Sequence, residues 1–255
     1  RLVLATGSEP VVPPIPGCDR PNVRPVIKSL DYLQCLAQIV AEAERVVILG
    51  GGFTGMEFAD ECVKRPGVQV TLVEALACCL YHAFDEHLCR VAERTVTGCG
   101  ARILTATRVQ SGLGDGELLR GVVLSTGEQV PADVVLVGAG ARPSVQLAQQ
   151  AGLPLDPLGG ILVDGAMRTE DEFIFAAGDC AAKTAFRTGT PSALRTAGIA
   201  AAEGRIAGAN LFEVTRSLDG TVQAYCTSLC GRSFVTVGLS QRSAQQEGIA
   251  VAAGE

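Results

Sequence analysis

The sequence predicts an α/β fold in which a parallel sheet is packed against helices. Three observations predict it. Residues 45 to 157 alternate short apolar runs with segments of helical periodicity, the pattern that builds parallel strands joined by crossover helices. Thirty glycines, many at the junctions between those segments, supply the tight turns such a sheet needs. Hydrophobic residues make up 47% of the 255 positions against 19% charged, enough apolar material for one large domain or two ordinary ones.

Composition also removes several function classes. A formal net charge of -6 and a pI near 5.1 leave no basic stripe to track nucleic-acid phosphates. Aromatic residues are 4% and Trp is absent, so a stacking platform for bases or sugars lacks its material. The Ala-rich stretch from Pro191 to Phe212 is broken by Arg195, Glu203 and Arg205, and no run approaches the roughly 18 to 20 apolar residues of a membrane span. Ten cysteines scattered through a long patterned chain fit a reducing, cytoplasmic compartment, with most acting as small core hydrophobes. His82 and His87 are too few to make a metal cluster with them, so no metal site is expected. The chain opens without Met on the apolar run Leu2-Val3-Leu4 and reads as a piece of a longer protein whose N-terminus is not in view.

Taken in order, residues 1 to 17 begin as a buried strand, pass through Ala5-Thr6-Gly7-Ser8 and enter a connector containing Pro10, Pro13, Pro14 and Pro16. From Ser29, an N-cap residue type, Leu30, Leu33, Ala37 and Val40 recur at helical spacing. Val46 to Leu49 is a strand, followed by Gly50-Gly51-Gly52-Phe53-Thr54-Gly55, a helix, and a second strand from Val68 to Glu74. A helix near Asp85 to Thr97 turns Leu88, Val91, Ala92 and Thr95 to one side and stops at Gly98 and Gly100. A strand at Ala101 to Leu104 comes next. Turn signals at Gly112 to Gly116 and Thr126-Gly127 bracket Leu118 to Leu124, predicting a short antiparallel excursion before the strand Val134 to Val137. Ile161 to Val163 and Phe173 to Ala177 read as strands, then a long helix to about Phe212, then further strands in Thr221 to Leu239 after the Asp219-Gly220 turn.

The glycine segment carries the chemistry. It matches G-x-G-x-x-G, and a buried strand before it and a helix after it supply the context of a Rossmann-like dinucleotide-binding unit. Gly50 permits the tight turn, Gly52 lets backbone approach a pyrophosphate at the helix N-terminus, and Gly55 lets helix and strand pack closely. Glu74 stands 22 positions beyond Gly52, near the spacing at which a carboxylate accepts hydrogen bonds from an adenosine ribose. A 2'-phosphate there would meet a like charge, and Ala75 to Tyr81 contain no Arg or Lys to offset it, so NAD(H) is expected over NADP(H).

Four segments together resemble the FAD-dependent pyridine nucleotide-disulfide oxidoreductases of the NADH oxidase and coenzyme A-disulfide reductase kind. They are Ala5 to Pro10, Gly50 to Glu57, Gly138 to Pro143 with Gly138 and Gly140, and Thr169 to Asp179 ending in Gly178-Asp179. The resemblance implies two cofactors, FAD and NAD, and a split architecture. Residues 1–44 and 158–212 would be parts of an FAD-binding domain, 45–157 an inserted NAD-binding domain, and 213–255 the start of an α+β C-terminal dimerisation domain, with a homodimer as the assembly. It further implies that Asp179 meets a ribityl hydroxyl of FAD and that Thr6 and Gly7 line the flavin side. Gly50, Gly51, Gly52, Phe53, Thr54 and Gly55 would hold NAD, Phe53 would cover the nicotinamide pocket, and Glu57 would lie near the nicotinamide and flavin rings. Arg142 would orient a loop. Hydride would pass from NADH to flavin and on to an unidentified acceptor: a disulfide, a thiol, oxygen or a protein. The upstream glycine-rich unit and redox cysteine of such relatives are not in this chain, and a non-catalytic NAD-binding redox-sensing or assembly module is the alternative. Thr54 replaces a small apolar residue, a mild change that is tolerated if its hydroxyl bonds to the preceding turn. Cys226 and Cys230 have a spacing that would bring them together on a helix but is not a thioredoxin-like one; Cys78, Cys79 and Cys180 are expected to be packing residues.

Overall fold

The computed structural model describes residues 1–114 and 116–254; Asp115, in the turn signal at Gly112 to Gly116, lies outside the described residues. In chain order the elements are β1 (Leu2–Leu4), β2 (Ser8–Pro10), β3 (Val23–Pro25), α1 (Leu30–Glu42), β4 (Arg45–Leu49), α2 (Phe53–Val63) and β5 (Gln69–Val73). There follow α3 (Glu86–Gly98), β6 (Ala101–Leu104), β7 (Val109–Leu113), β8 (Gly121–Leu124), β9 (Gln129–Pro131), β10 (Val134–Val137), β11 (Ala141–Pro143) and α4 (Gln146–Gln150). The remainder comprises β12 (Ile174–Ala176), a 3₁₀ turn at Gly178–Cys180, α5 (Ala197–Ala209), β13 (Ala224–Leu229), β14 (Arg232–Val237) and α6 (Gln241–Gln246).

The chain divides into two compact units, residues 1–9 with 141–223, and residues 10–140 with 224–255. This moves the expected boundaries. Residues 10–44 belong with the large sheet, because β3 pairs in parallel with β10 and α1 buries Leu36 in that sheet's core. The last 32 or so residues join the same unit, since β13 and β14 pack Leu229 and Phe234 into that core.

The large unit is a five-stranded parallel sheet in the order β3-β10-β4-β5-β6. Alternation decides its two faces. Val46 and Ile48 of β4 point to a core shared with α1, α2 and α3, whereas Val47 and Leu49 point to a second core with Val122, Leu124 and Val130. The second face is therefore covered by the antiparallel sheet β7-β8-β9 instead of by helices, because the predicted excursion folds back over the strands. Helical phase also departs from expectation. Exposed Leu30 and Ala37 leave Leu36 as the buried contact of α1, and α3 buries Cys89, Ala92 and Val96 while Leu88 lies in solvent. Ser29 occupies the N-cap of α1 without a side-chain capping bond.

In the smaller unit β1 pairs in parallel with β12, and β2 with β11. Phe175 and Ala177 join Ile206 and Ala207 of α5 in one cluster, while Ala176 joins Leu4 and Ala148 in another. Two predicted elements are shorter than expected. The helix ending near Phe212 begins only at Ala197, after an irregular segment tied by the Thr184–Pro191 bridge. Ile161 makes isolated bridges to Leu155 and Ala181 in place of a strand. Across the described residues, no helix is long and apolar enough to cross a membrane.

Candidate functional site

The sheet order reverses between β4 and β10, and in open α/β sheets ligands bind beyond the strand C-termini at such a point. There the chain places its glycine turn. Gly50 N donates to Val73 O at 2.9 Å and Gly138 N to Leu49 O at 2.8 Å, so the turn is fixed to both neighbouring strands. Gly55 is compelled by packing: a Cβ on it would sit 1.8 Å from Gly50 O. Gly51 is compelled too, since its Cβ would meet the Cys79 sulfur at 2.5 Å.

Gly52 is different. It is the N-cap of α2, with φ -70°, and a Cβ there would meet nothing within 4 Å. Neither its backbone angle nor its neighbours require glycine, and its bare Cα leaves open space at the helix N-terminus. The first turn of α2 carries no acidic residue, leaving its unpaired N–H groups and helix dipole available to an anion.

Glu74 closes the other end. It is buried, accepts from Gly51 N at 2.5 Å on Oε2 and from Leu76 N at 2.6 Å on Oε1. A carboxylate held by two backbone donors is oriented and still has lone pairs to offer. Gly51, Gly52, Phe53, Glu74, Cys78 and Tyr81 are among the residues lining a cleft of about 130 Å³. Its wall is the segment after β5, tied to the turn by Leu80 N donating to Gly51 O at 2.8 Å. Phe53, the first residue of α2, packs against Tyr225 at 4.8 Å between ring centroids and against Phe84 at 6.1 Å. Tyr225 is a lining residue the sequence did not disclose, and behind the cleft the Arg242 guanidinium lies 3.8 Å from the Tyr81 ring and donates to Tyr81 O at 2.6 Å.

Of the other expected residues in this unit, Glu57 is exposed on α2 and accepts from Thr227 Oγ1 at 2.7 Å. Gly140 O accepts from Val11 N at 2.9 Å. Thr54 is half-buried and its hydroxyl makes no bond to the turn or to any other described residue, so the expected compensation is absent. Cys78 and Cys79 are fully packed, and burial, aided by the nearby Glu93 and Glu74 carboxylates, raises the Cys79 thiol well above its ordinary range. Cys226 lies in β13 and Cys230 in the turn after it, which removes the helical approach of the two.

The smaller unit gathers the remaining expected residues. Thr6 Oγ1 donates to Ser144 O at 2.5 Å, and Ser144 N donates to Gly7 O at 3.0 Å. Asp179, in the 3₁₀ turn, accepts on Oδ2 from Ser8 Oγ at 2.7 Å, so one carboxylate oxygen is held while Oδ1 takes no bond from the described residues. Arg142 pairs with Glu9 at 3.6 Å.

Sequence reasoning missed what braces this turn. Glu203 and Lys183 form a fully buried ion pair at 3.0 Å. Glu203 Oε2 also accepts from Gly178 N at 2.8 Å, and Lys183 Nζ donates to Gly178 O at 2.6 Å and Ala181 O at 2.9 Å. Lys183 therefore satisfies all three of its donors. Burial raises the Glu203 carboxyl above its ordinary range, with Lys183 and the Gly178 N–H opposing that shift. The only sequence signal was a charge interrupting an Ala-rich helix.

Comparison with known proteins gives one family model, described as pyridine nucleotide-disulphide oxidoreductase, matching residues 1–204. An NADH oxidase of Enterococcus faecalis is 31% identical over 253 residues, covering 99% of this chain and 56% of the relative. The structure of a water-forming NADH oxidase from Lactobacillus brevis bound to NADH superposes with a TM-score of 0.90 at 30% identity, covering 98% of this chain and 54% of the other. An NAD-dependent persulfide reductase from A. fulgidus gives 0.91 at 29% identity, over 97% of this chain and 45% of the other. The chain spans about half the length of the relatives it matches.

Proposed function

Because the chain belongs to the pyridine nucleotide-disulphide oxidoreductase family, we propose that the whole protein is an NADH-dependent FAD flavoprotein that reduces a disulfide, thiol, oxygen or protein acceptor. The observation that carries the nucleotide half is Gly52, a glycine that the fold leaves free to change, set between a helix N-terminus and a buried, doubly anchored carboxylate. Bound together, nicotinamide and flavin supply a hydride transfer and an electron store that amino-acid side chains cannot.

The residues of the chain bind and orient. Backbone N–H groups at the start of α2 meet the pyrophosphate, and Gly50, Gly51 and Gly55 shape the turn that presents them. Glu74 accepts from the adenosine ribose, and Phe53, held by Tyr225, covers the nicotinamide end. Glu57, positioned by Thr227, is the carboxylate assigned to the nicotinamide vicinity. Thr6, Gly7 and the free oxygen of Asp179 serve the flavin, with Gly178 setting the turn that presents Asp179. Gly138 and Gly140 line the approach beyond β10. The E. faecalis relative's name and the NADH bound to the L. brevis structure support NADH as the donor. The charge argument points the same way, since a 2'-phosphate would face buried Glu74 while the Arg242 guanidinium is engaged with Tyr81. Ten unpaired thiols favour the cytoplasm, and family resemblance favours a homodimer, which sedimentation at several concentrations would test.

The Glu74 assignment has a direct test. Replacing Glu74 by Ala is expected to weaken NADH binding about tenfold or more, the loss of a charge-assisted hydrogen bond, and to narrow the preference over NADPH. Unchanged discrimination in paired titrations would remove Glu74 from the site.

A further inference from the structure

Lys183 and Glu203 are the most deeply buried charged residues among those described, with side chains 2% and 1% exposed. Removing two charges from water costs about as much as their attraction returns, so apolar side chains of similar volume would stabilise the fold as well. What a fully bonded pair supplies instead is one fixed arrangement of the groups it touches. Here those bonds converge on a single turn. Glu203 Oε2 accepts from Gly178 N at 2.8 Å, and Lys183 Nζ donates to Gly178 O at 2.6 Å and Ala181 O at 2.9 Å as well as to its partner. The amide and the carbonyl of one residue are thus both held by the pair.

The residue so held is a glycine with φ of +80°, the first of the 3₁₀ turn Gly178–Cys180. Left to itself, a glycine there has many backbone conformations open to it. In the structure every carbonyl from Gly178 to Ala181 is engaged. Arg195 Nε donates to Asp179 O at 3.3 Å and Ile161 N to Cys180 O at 2.8 Å, and Lys183 holds the other two. Asp179 follows Gly178 directly, and rotation of the Gly178 backbone would swing its carboxylate. Ser8 Oγ holds only one end of that carboxylate, at Oδ2. The direction of the open oxygen Oδ1 is therefore set by the buried pair acting through the turn.

We propose that Lys183 and Glu203 are positioning residues for flavin binding: the pair fixes the Gly178 backbone, Gly178 aims Asp179, and the open carboxylate oxygen is held ready for a ribityl hydroxyl. The proposal rests on the assignment of Asp179 to the flavin. Both side chains are enclosed, so they act through the turn and not by contact with the cofactor. Their contribution is preorganisation. Without the pair, the turn would have to be ordered at the moment of binding, and that loss of conformational freedom would be subtracted from FAD affinity.

The test is a double-mutant cycle on the full-length protein, stripped of flavin and titrated with FAD. Lys183→Met combined with Glu203→Gln removes both charges without stranding either and releases Gly178 O, while Asp179→Ala removes the carboxylate that the pair aims. Each change is expected to weaken FAD binding about tenfold, the scale of one charge-assisted hydrogen bond. Combined, they should weaken it no more than Asp179→Ala does, within about twofold, because the pair acts only through that carboxylate. NADH affinity, assigned to the large unit, should be unchanged in every variant, which separates lost positioning from general damage. Additive losses of FAD affinity would overturn the proposal by assigning the pair to stability, and so would a paired variant that does not fold or that loses NADH affinity in parallel. It would also be overturned by full FAD affinity in the paired variant where Asp179→Ala binds weakly. An unaltered protein that binds no FAD, or FAD affinity indifferent to Asp179→Ala, would remove the flavin assignment itself and the proposal with it.

Discussion

Two glycines three residues apart carry opposite demands, and substituting each separates fold from function. Gly55→Ala forces a Cβ into the Gly50 carbonyl, a collision in a packed interior that small shifts cannot relieve. Denaturant unfolding should show a loss of about 3 kcal/mol or more, or no folded protein. Gly52→Ala places its Cβ in open space at an N-cap with an ordinary φ, so stability should change by only about 0.5 kcal/mol while NADH binding falls at least about tenfold. A stable Gly52→Ala protein with unaltered NADH affinity would contradict the phosphate role. The fingerprint made these positions legible in the sequence, because its glycines recur at a fixed local spacing. Arg242, Tyr225 and Thr227 were not legible. They reach the glycine unit from more than a hundred residues away, and no local pattern announces such a contact.

At the level of elements, ties between distant strands and turns were invisible in the sequence. Asp133, just before β10, accepts from Arg45 N at 2.8 Å and Glu44 N at 3.1 Å and pairs with the Arg45 guanidinium at the start of β4. That side-chain hydrogen bond from Arg45 lowers the Asp133 carboxyl below its ordinary range, though burial opposes it. A depressed carboxyl stabilises the fold above its unfolded pKa, and the contribution fades as pH falls through the folded value. Asp133→Asn should therefore cost about 1 kcal/mol at neutral pH, a figure kept small because its side chain is 32% exposed. The difference from the unaltered protein should shrink in acid; a pH-independent difference would assign the effect to packing.

The Lys183–Glu203 pair gives a second element-scale prediction. Removing one partner strands a buried charge, so Lys183→Ala should cost about 3–5 kcal/mol, whereas Lys183→Met combined with Glu203→Gln should recover much of it. Equal losses in the single and double variants would show that the charges are not coupled. Helix existence was readable from periodicity, but phase was not: Leu36 and Val96 fall in the stripes that face the sheet, and only the sheet's position decides which side of a partly apolar helix is inward. The missing helix over residues 181–196 has a simpler cause. Pro191 and four Thr residues favour extended and turn backbone there, against the Ala-rich composition that suggested continuity.

For the whole molecule, the alternation of strands and helices made the α/β class legible, while the division into units was not. Val23–Pro25 carries no strand signal and residues 213–255 read as the start of a separate domain, yet Val23–Pro25 and the segment from Ala224 belong to the large unit through strand pairing and core contacts formed across long sequence separations. The central claim, that NADH reduces a flavin held by this protein, is tested most directly by the visible absorption spectrum of the full-length protein before and after anaerobic NADH, with NADPH as the control. The account predicts flavin bands that NADH bleaches much faster than NADPH. A colourless protein that still binds NADH, or flavin bands indifferent to both nucleotides, would contradict it.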